Sequence, residues 1–543
     1  QSLFTLLTVS MGKTSSKVRH GNAVSRGHEL VHVVEPPLFE ELPQVRGTDD
    51  DDFVVHSILV RLPGIVDSVL AEGAWHGPEA SATARKAAQK RLIALRTAAA
   101  EGHVPMEAAP GAWGRAYCAS HGDDADGDQT WLSLPWFHVE HCFYAHMRAI
   151  VSSAKGSDMF APHKAKSLAA ALPWLDAALA AMPDDIRTGA DQALARDALP
   201  HYLQLALWGN RGDLSLSAGA VDPASTSRSD ADNAAALLQD DSDAWLRAVA
   251  ASAGTIAIIL DNCGHELLAD LLLAVVLLRA GVATDIVFYA KAEPVFVSDA
   301  MPHDVNAHLE VLAERAPELA ALLDPTLDSP RLRVVAHSFF TSPLPFADLA
   351  AAAPELAAQL SASAGVITKG DANFRRLIDD RRYLVTTPAA SVIDYAWAPL
   401  LAVRTTKSPV AIGLYKDAVE AAAERNPTWC VDGSHGMMIY APRASPEGGL
   451  TVADVPIEIW CEIMKFVDWE SRIAAGHTCR LLRAAAHDIL FWKPHIKRYF
   501  PRAIIKPPSE ASYPSQWLAR LVGERDTAIK DIGLSDHHNR NNW

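Results

Sequence analysis

The chain has 543 residues, of which 49% are hydrophobic and 21% are charged. These values are typical of a globular protein with two or three domains and a large core. The formal net charge of −16 argues against nucleic acid as a partner, and no apolar run approaches the roughly 18 residues of a transmembrane helix. The six cysteines form no zinc or redox motif, as in proteins of a reducing compartment, so we expect a cytoplasmic location, with the nucleus as an alternative.

Residues 1–52 are predicted to form a disordered leader that ends in an acidic run at 49–52. From Met11 the chain reads MGKTSS, which fits the pattern for myristoylation of Gly12 if translation starts there. A single acyl chain would anchor the protein only marginally. The leader therefore indicates, at most, a weak membrane contact.

Residues 53–245 are rich in Ala and Leu and contain few β-branched runs, which predicts a mainly helical N-terminal domain. Two polar stretches, at 121–129 and 217–243, are expected to be surface insertions without fixed structure. Residues 246–442 alternate short β-rich runs with helical segments, which is typical of βα units around a parallel sheet. The predicted fold class is therefore α/β, with a helical domain followed by a Rossmann-like α/β/α sandwich.

Four apolar runs of the second domain lead into polar residues. The runs are TIAIIL, DIVFYA, GVIT and LLAV, and the polar residues that follow them include Asp261, Asn262, Asp299, Lys369, Asp371, Asn373, Arg404 and Lys407. Because the carboxyl ends of parallel strands meet at one edge of a sheet, we expect these side chains to surround a single crevice. Asp261 alone could equally cap the helix that follows its strand, so the prediction depends on the whole group.

The residue types in this group indicate the chemistry. Two carboxylates and an amide oxygen are the hard donors that magnesium, manganese or a similar divalent ion prefers. Cations beside such an ion are what a phosphate ester needs, because they offset the charge on its phosphoryl oxygens. Arg404 could hold a phosphate through its planar guanidinium and Lys407 through a point charge, although Lys407 could also be a solvated surface lysine.

Four separate segments resemble, in their order, the metal-dependent damage-control phosphatase family, in particular its third subfamily, which is also described as acidic-residue (protein-glutamate) methyltransferase-like. They are DNCGHELLADLLL at 261–273, KAEPVFVSDAMPHD at 291–304, KGDANFRRL at 369–377 and VRTTK at 403–407. The last segment contains the subfamily's Arg-Thr-x-Lys signature. The resemblance extends over 53–441, which is most of the chain.

The resemblance implies a set of site residues. Asp261, Asn262 and Asp299 would carry catalysis by holding a divalent metal, with manganese expected first and cobalt, nickel or magnesium as alternatives. The residues implied to bind the substrate are Glu266, Lys369, Gly370, Asp371, Ala372, Asn373, Arg404 and Lys407. Asn210 and Asp213 are also expected near the site.

The family description covers both hydrolysis of phosphate esters and methyl transfer to protein glutamates, and the residues favour hydrolysis. A nucleotide-like methyl donor usually needs a Gly-rich turn after the first strand, whereas the turn after Leu260 reads DNCGHE and contains one glycine. Either a water molecule or Asp261 itself could attack phosphorus, and the sequence does not separate these routes. The resemblance implies small sugar phosphates, of the fructose 1-phosphate or fructose 6-phosphate class, as substrates.

The composition changes after a predicted linker at 443–449. Residues 450–501 contain a Pro-Ile-Glu-Ile opening, a Cys-Arg-x-x-Arg element and a closing Trp492, and they resemble an F-box. This implies a small helical module that binds a Skp-type adaptor of a cullin ubiquitin ligase, followed by a tail at 502–543. The alternative is a helical pair that packs on the enzyme. The rival function is a substrate receptor of the ligase, in which the phosphatase-like domain serves recognition.

Overall fold

A computed structural model describes residues 42–49, 51–110, 129–212, 230–250 and 253–444 of the chain. These residues all belong to one compact unit. The expected myristoylation site at Gly12, the F-box-like module at 450–501, the tail at 502–543 and Asp213 lie outside the described residues. The expectations for them remain predictions.

Seven strands of the described residues form one sheet. In chain order they are β1 (Leu237–Asp240), β2 (Gly254–Ile259), β3 (Ala283–Lys291), β4 (Leu332–His337), β5 (Gly365–Lys369), β6 (Leu400–Thr405) and β7 (Gly436–Ala441). Their order across the sheet is β1-β7-β6-β5-β2-β3-β4. Neighbouring strands run parallel except for β6 and β7, which are antiparallel. The predicted α/β fold with a mainly parallel sheet is confirmed.

The strand order creates a switch point between β2 and β5. The chain proceeds from β2 to β3 and β4 towards one edge, and then returns to place β5 on the other side of β2. The loops at the carboxyl ends of β2 and β5 therefore diverge and leave a crevice, which is where open α/β sheets bind ligands. Asp261 follows β2 and Lys369 ends β5, so both lie at this crevice.

Each face of the sheet is covered by its own hydrophobic layer. Ala257 and Ile259 of β2 belong to one core cluster, whereas Ile256 and Ile258 belong to the other, as the alternation of side chains along a strand requires. Because both faces are buried, the strands are continuous apolar runs rather than alternating ones. The result is the predicted α/β/α sandwich.

The helices that precede the sheet divide between the two layers. Those of the first layer are α1 (Asp52–His56), α2 (Leu62–Glu72), α3 (Ala82–Glu101) and α4 (Trp136–Ser153), and those of the second are α5 (Ala161–Ala181), α6 (Asp184–Thr188) and α7 (Gln192–Trp208). A π-helical turn, Ser57–Arg61, joins α1 to α2. Contrary to the expectation from the sequence, the joined stretch, Asp52–Glu72, is long and apolar enough to cross a membrane by length and composition alone, and 44% of its most apolar window is buried inside the protein. Its residues Ile58 and Val66 are 0% exposed, as in a core helix.

The remaining helices lie between or beside the strands. They are α8 (Asp230–Ala236), α9 (Ser242–Ala250), α10 (His265–Arg279), α11 (Pro302–Arg315), α12 (Pro317–Leu322), α13 (Leu349–Ala352), α14 (Pro354–Ser361), α15 (Gly370–Leu377), α16 (Ala389–Val392) and α17 (Lys416–Arg425). Helix α10 follows β2 and is buried over most of its length, because it packs against α7 and β3. It nevertheless carries two buried carboxylates, Glu266 and Asp270.

The structure differs from the sequence analysis in part of the stretch at 217–243. Composition suggests that it lacks fixed structure, but its described residues include α8 and β1, and β1 pairs with β7. Pairing with a neighbouring strand outweighs the local polarity of such an edge strand. Strand β1 also lies before residue 246, where the α/β part is predicted to begin. In the expected leader, Gln44 pairs with Arg381 and Arg46 with Pro135 through isolated bridges.

Candidate active site

The polar residues predicted at the strand ends meet at one edge of the sheet. Asp261 and Asn262 follow β2, and Asp299 pairs with Asn262 through an isolated antiparallel bridge. The backbone N–H of Ala300 donates to the Asp261 carbonyl at 2.7 Å. The sequence suggests that Asp299 lies directly at a strand end. Strand β3 ends at Lys291, however, so Asp299 reaches the site in a loop that returns to it.

The loop that carries Asp299 has a strained backbone. Phe296 and Val297 have φ angles of 30° and 41°, in a region that costs L-residues about 1–3 kcal/mol each and where a β-branched residue is an outlier. Phe296 stacks on Phe137 with ring centroids 6.0 Å apart and meets His141 edge-on at 4.9 Å. The helical layer therefore holds the strained loop and, through it, Asp299.

Two amides and a glycine define the position of the Asp261 carboxylate. Asn210 and Asn262 each donate from Nδ2 to Oδ2 of Asp261, at 2.8 and 2.7 Å. Gly370 lies so close that a Cβ added there would be 1.8 Å from the same Oδ2. The φ of 80° at this residue also favours glycine. Asp261 is thus an oriented carboxylate with only 4% of its surface exposed.

Asn210 ties the helical layer to the sheet edge, as expected from the sequence. It lies in the 3-10 turn Gly209–Gly212 that follows α7. Its Nδ2 also donates to Oε2 of Glu266 at 2.5 Å, and its Oδ1 accepts from Thr405 Oγ1 at 2.6 Å and from Lys407 Nζ at 2.5 Å. One amide therefore sets the relative positions of an acid and a cation of the site.

Lys369 joins two carboxylates of α10 behind the pocket. Its Nζ lies 2.8 Å from Oε1 of Glu266 and 2.8 Å from Oδ1 of Asp270, and all three side chains are buried. Burial raises the pKa of Asp270 to about 7, because the Lys369 ammonium offsets only part of the burial and Glu266 adds to it. Burial lowers the pKa of the Lys369 ammonium, but the two carboxylates outweigh it and raise this pKa above its ordinary value. Lys369 is therefore a charged support for Glu266.

Asp371, in the first turn of α15, is held by the end of β6. Its Oδ1 accepts from Arg404 Nε at 2.7 Å and from the Lys407 backbone N–H at 3.0 Å. The Arg404 side chain is 0% exposed, also donates to the Val410 carbonyl at 2.6 Å, and lies 4.3 Å from the ring centroid of Phe374. From its place in the sequence, Arg404 is expected to hold a phosphate directly. In the structure its guanidinium is committed to protein oxygens and positions Asp371 instead.

The pocket in front of these residues encloses about 440 Å³, part of which is open to solvent. Its lining includes five of the residues predicted for the site, which are Asp261, Asp299, Asp371, Ala372 and Lys407. The predicted residues that support the site from behind are Asn262, Glu266, Lys369, Gly370, Asn373 and Arg404. Asn373 does so by donating to the Leu260 carbonyl at 3.1 Å and to the Lys369 carbonyl at 2.8 Å.

Other parts of the chain contribute lining residues that the sequence motifs do not predict. These residues are Phe53, Arg61, Trp136, Glu140, Phe296 and Arg375. A carboxylate inside the buried, mostly apolar helix α4 is a signal that could have identified Glu140, because buried charges need partners. Arg61 gives no comparable signal, since it follows a long apolar run and its partner is distant in the sequence.

The donor set at the crevice fits a hard divalent cation. Asp261 and Asp299 present carboxylates to the pocket, and Oδ1 of Asn262 accepts from Ser298 Oγ at 2.6 Å with a lone pair to spare. Oxygen donors of this kind suit manganese or magnesium. Lys291 Nζ lies 3.1 Å from Oδ2 of Asp299 and balances part of the negative charge gathered here.

A second group of possible ligands lies elsewhere. The ligand atoms of Asp158, His303 and Asp304 lie within 4.8 Å of one another. However, Lys164 Nζ lies 2.9 Å from Asp158 and 2.8 Å from Asp304. An ammonium group already bridges these carboxylates, so we attribute their proximity to a buried salt bridge.

The crevice and its residues define an α/β protein with a small pocket, lined by charged residues, at the switch point of its sheet. Residues 58–422 match the family described as "Damage-control phosphatase ARMT1-like domain". The chain belongs to this family, and the resemblance stated from its motifs is confirmed. The match ends before the F-box-like segment, which stays a prediction.

Two relatives illustrate the similarity. The chain is 30% identical to the damage-control phosphatase ARMT1 of Homo sapiens over 338 residues, which cover 59% of this chain and 77% of the relative. It is 29% identical to that of Mus musculus over 339 residues, which cover 59% and 76%. The crystal structure of a DUF89 family protein from Pyrococcus horikoshii aligns with a TM-score of 0.38 and 15% identity, over 67% of this chain and 96% of that one.

Proposed function

We propose that the protein is a metal-dependent phosphatase that hydrolyses small sugar phosphates, with fructose 1-phosphate or fructose 6-phosphate as the expected class. The observation that carries this proposal is the meeting of two buried carboxylates, Asp261 and Asp299, with Lys407 in one pocket. Membership of a damage-control phosphatase family supports the reaction type. The cationic side chains of the pocket lining, Lys407 and Arg375 among them, support an anionic ester as the substrate.

The residues of the crevice take separate roles in this proposal. Asp261, Asn262 and Asp299 would hold the divalent cation, with manganese expected first and cobalt, nickel or magnesium as alternatives. When bound, such an ion supplies positive charge that offsets the charge on the phosphoryl oxygens. Lys407 would add a second positive charge, and its Nζ is oriented by Oδ1 and the carbonyl of Asn210, each at 2.5 Å. Asp371 would accept hydrogen bonds from the substrate.

The test is phosphate release from a panel of sugar phosphates with manganese, cobalt, nickel or magnesium. Chelation of the metal is expected to abolish release, and Asp261→Ala to lower kcat by about 100-fold or more, because a charged group of the site is lost. Asp176→Ala, which removes an exposed carboxylate, is the matched control. Activity that survives both chelation and the Asp261 substitution would exclude the proposed mechanism.

For the C-terminal residues we propose adaptor binding through 450–501, and for the whole chain a cytoplasmic location. The F-box-like sequence and the sparse cysteines support these proposals. Co-purification of a Skp-type adaptor with the full chain, but not with a chain that ends at Gly449, is the expected result. An adaptor that stays bound to the shortened chain would contradict the assignment.

A further inference from the structure

Four residues of alternating charge, three of them buried and one partly buried, form a chain at one wall of the pocket, which we call the charged wall. It consists of Arg61, Glu140, Arg375 and Asp380. Arg61 contacts Oε1 of Glu140, Oε2 of Glu140 lies 2.6 Å from Arg375, and Arg375 lies 2.8 Å from Asp380. Their side chains are 10%, 1%, 3% and 1% exposed. The two positive and two negative charges sum to zero.

The geometry of the charged wall is rigid. The guanidinium carbon of Arg375 lies 3.7 Å from the ring centroid of Trp136 and 4.6 Å from that of Phe137, which fixes the plane of the guanidinium. Asp380 receives two bonds from Arg375, from Nε at 2.8 Å and from a terminal nitrogen at 2.9 Å. Arg375 therefore has little freedom to turn towards a ligand without breaking a buried pair.

We propose that Glu140 is a specificity-determining residue, which neutralises the charged wall so that the pocket accepts the uncharged, hydroxyl-bearing end of a sugar monophosphate and rejects a ligand with a second anionic group. The inference rests on the proposed function and refines its substrate class. Arg61, Trp136, Glu140 and Arg375 all line the pocket. A carboxylate, guanidinium groups and an aromatic ring can bind the hydroxyl groups and C–H faces of a sugar.

The rejection of a second anion follows from the same contacts. An additional phosphate at this wall would meet the buried Glu140 carboxylate, and like charges in such a position repel strongly. The guanidinium groups that could attract it are already paired within the protein. Burial raises the pKa of Asp380 to about 6 against the opposing effect of Arg375, so Asp380 is ionised above this pH and balances one of the two guanidinium charges.

The experiment changes the charge of the wall in both directions. We would measure kcat/KM with manganese for fructose 6-phosphate and fructose 1,6-bisphosphate, at about pH 8, which is above the pKa of about 6 of Asp380. Glu140→Gln is expected to lower the ratio of monophosphate to bisphosphate by about tenfold or more, and Arg61→Gln to raise it. The double variant restores a neutral wall and is expected to return the ratio towards that of the unmodified protein. Arg96→Gln, which removes the same charge from an exposed pair with Asp67, should leave it unchanged.

A ratio that stays constant across the charge series overturns the inference, because a purely structural role of these residues would lower both activities together. Unfolding temperatures identify a variant that does not fold. If Glu140→Gln does not fold, the comparison of Arg61→Gln with the double variant, which preserves the charge balance, tests the inference instead. The shift of the unfolding temperature caused by each ester compares the binding of the monophosphate and the bisphosphate without turnover. Binding that follows the charge while neither ester is hydrolysed would refute the proposed function alone, whereas hydrolysis with a constant ratio would refute only the role of Glu140.

Discussion

Gly370→Ala tests the geometry of the crevice most directly. The added Cβ would lie 1.8 Å from Oδ2 of Asp261, whereas Cβ contacts are essentially never shorter than 3.0 Å. The difference, about 1.2 Å, is the least by which the Asp261 carboxylate or the Gly370 turn must move. A displacement near 1 Å in an active site lowers activity by about 100-fold. The left-handed φ of 80° at this position adds about 1–2 kcal/mol of backbone strain.

The assay separates this collision from the backbone strain. Gly73 has a φ of 70° and nothing within 4 Å of its added Cβ, so Gly73→Ala shares the strain but not the collision. Both variants are expected to lose about 1 kcal/mol or more in urea unfolding. Only Gly370→Ala should also lose kcat and require more manganese for activation. If Gly370→Ala folds and retains the kcat and the manganese requirement of the Gly73 variant, the assigned role of Asp261 is wrong.

Two further predictions concern stability. Lys369→Met leaves Glu266 and Asp270 without their shared cation and is expected to lower the free energy of unfolding by about 3–5 kcal/mol in urea titrations; adding Asp270→Asn should recover part of the loss, and an unchanged midpoint would show that the ammonium is dispensable. His308 links stability to pH, because burial lowers its pKa from 6.5 to about 4 and its Nε2 accepts from the Gly264 N–H at 2.7 Å. The His308 imidazole binds a proton more tightly in the unfolded chain than in the folded protein. The contribution of the neutral imidazole to stability is therefore complete above pH 6.5 and is lost as the pH falls towards about 4. His308→Gln should flatten the decline of urea midpoints between about pH 7 and about pH 5, and a decline of equal slope would contradict this origin.

The strand ends of the crevice could be predicted because each joins a short β-rich run to a polar residue. Asp261 after β2 and Lys369 at the end of β5 follow this pattern, and a parallel sheet brings such ends together. Strand β1 could not be found in this way, since its four residues, Leu237–Asp240, are an edge strand inside a polar stretch. Strand β1 pairs with β7, which lies about 200 residues further along the chain, and a local sequence pattern cannot predict such a pairing.

The approach of side chains to the pocket could be predicted only in part. The sequence places Arg404 beside the site but not the direction of its guanidinium, which depends on the Asp371 carboxylate of another element. The route of Asp299 depends on left-handed residues, Phe296 and Val297, that local preference disfavours and that packing on α4 stabilises. Glu140 belongs to a helix far away in the sequence. Its apolar surroundings indicate that it needs a charged partner, but its position in the pocket depends on the tertiary fold.

Hydrogen bonds of Lys369 and Asn210 connect the helices before the sheet to the strand ends, so the two parts of the protein depend on each other. Lys369 Nζ donates to the Ala206 carbonyl at 2.8 Å across 163 positions of the chain, and Asn210 holds Asp261 from the same direction. A fragment that begins after the turn Gly209–Gly212 would retain every strand, but Lys369 would lose its bond to the Ala206 carbonyl and Asp261 would lose one of its two amide donors. The candidate site is therefore built jointly by the turn after α7 and by the strand ends, and we expect truncation from the amino terminus past this turn to inactivate the protein before the sheet itself unfolds.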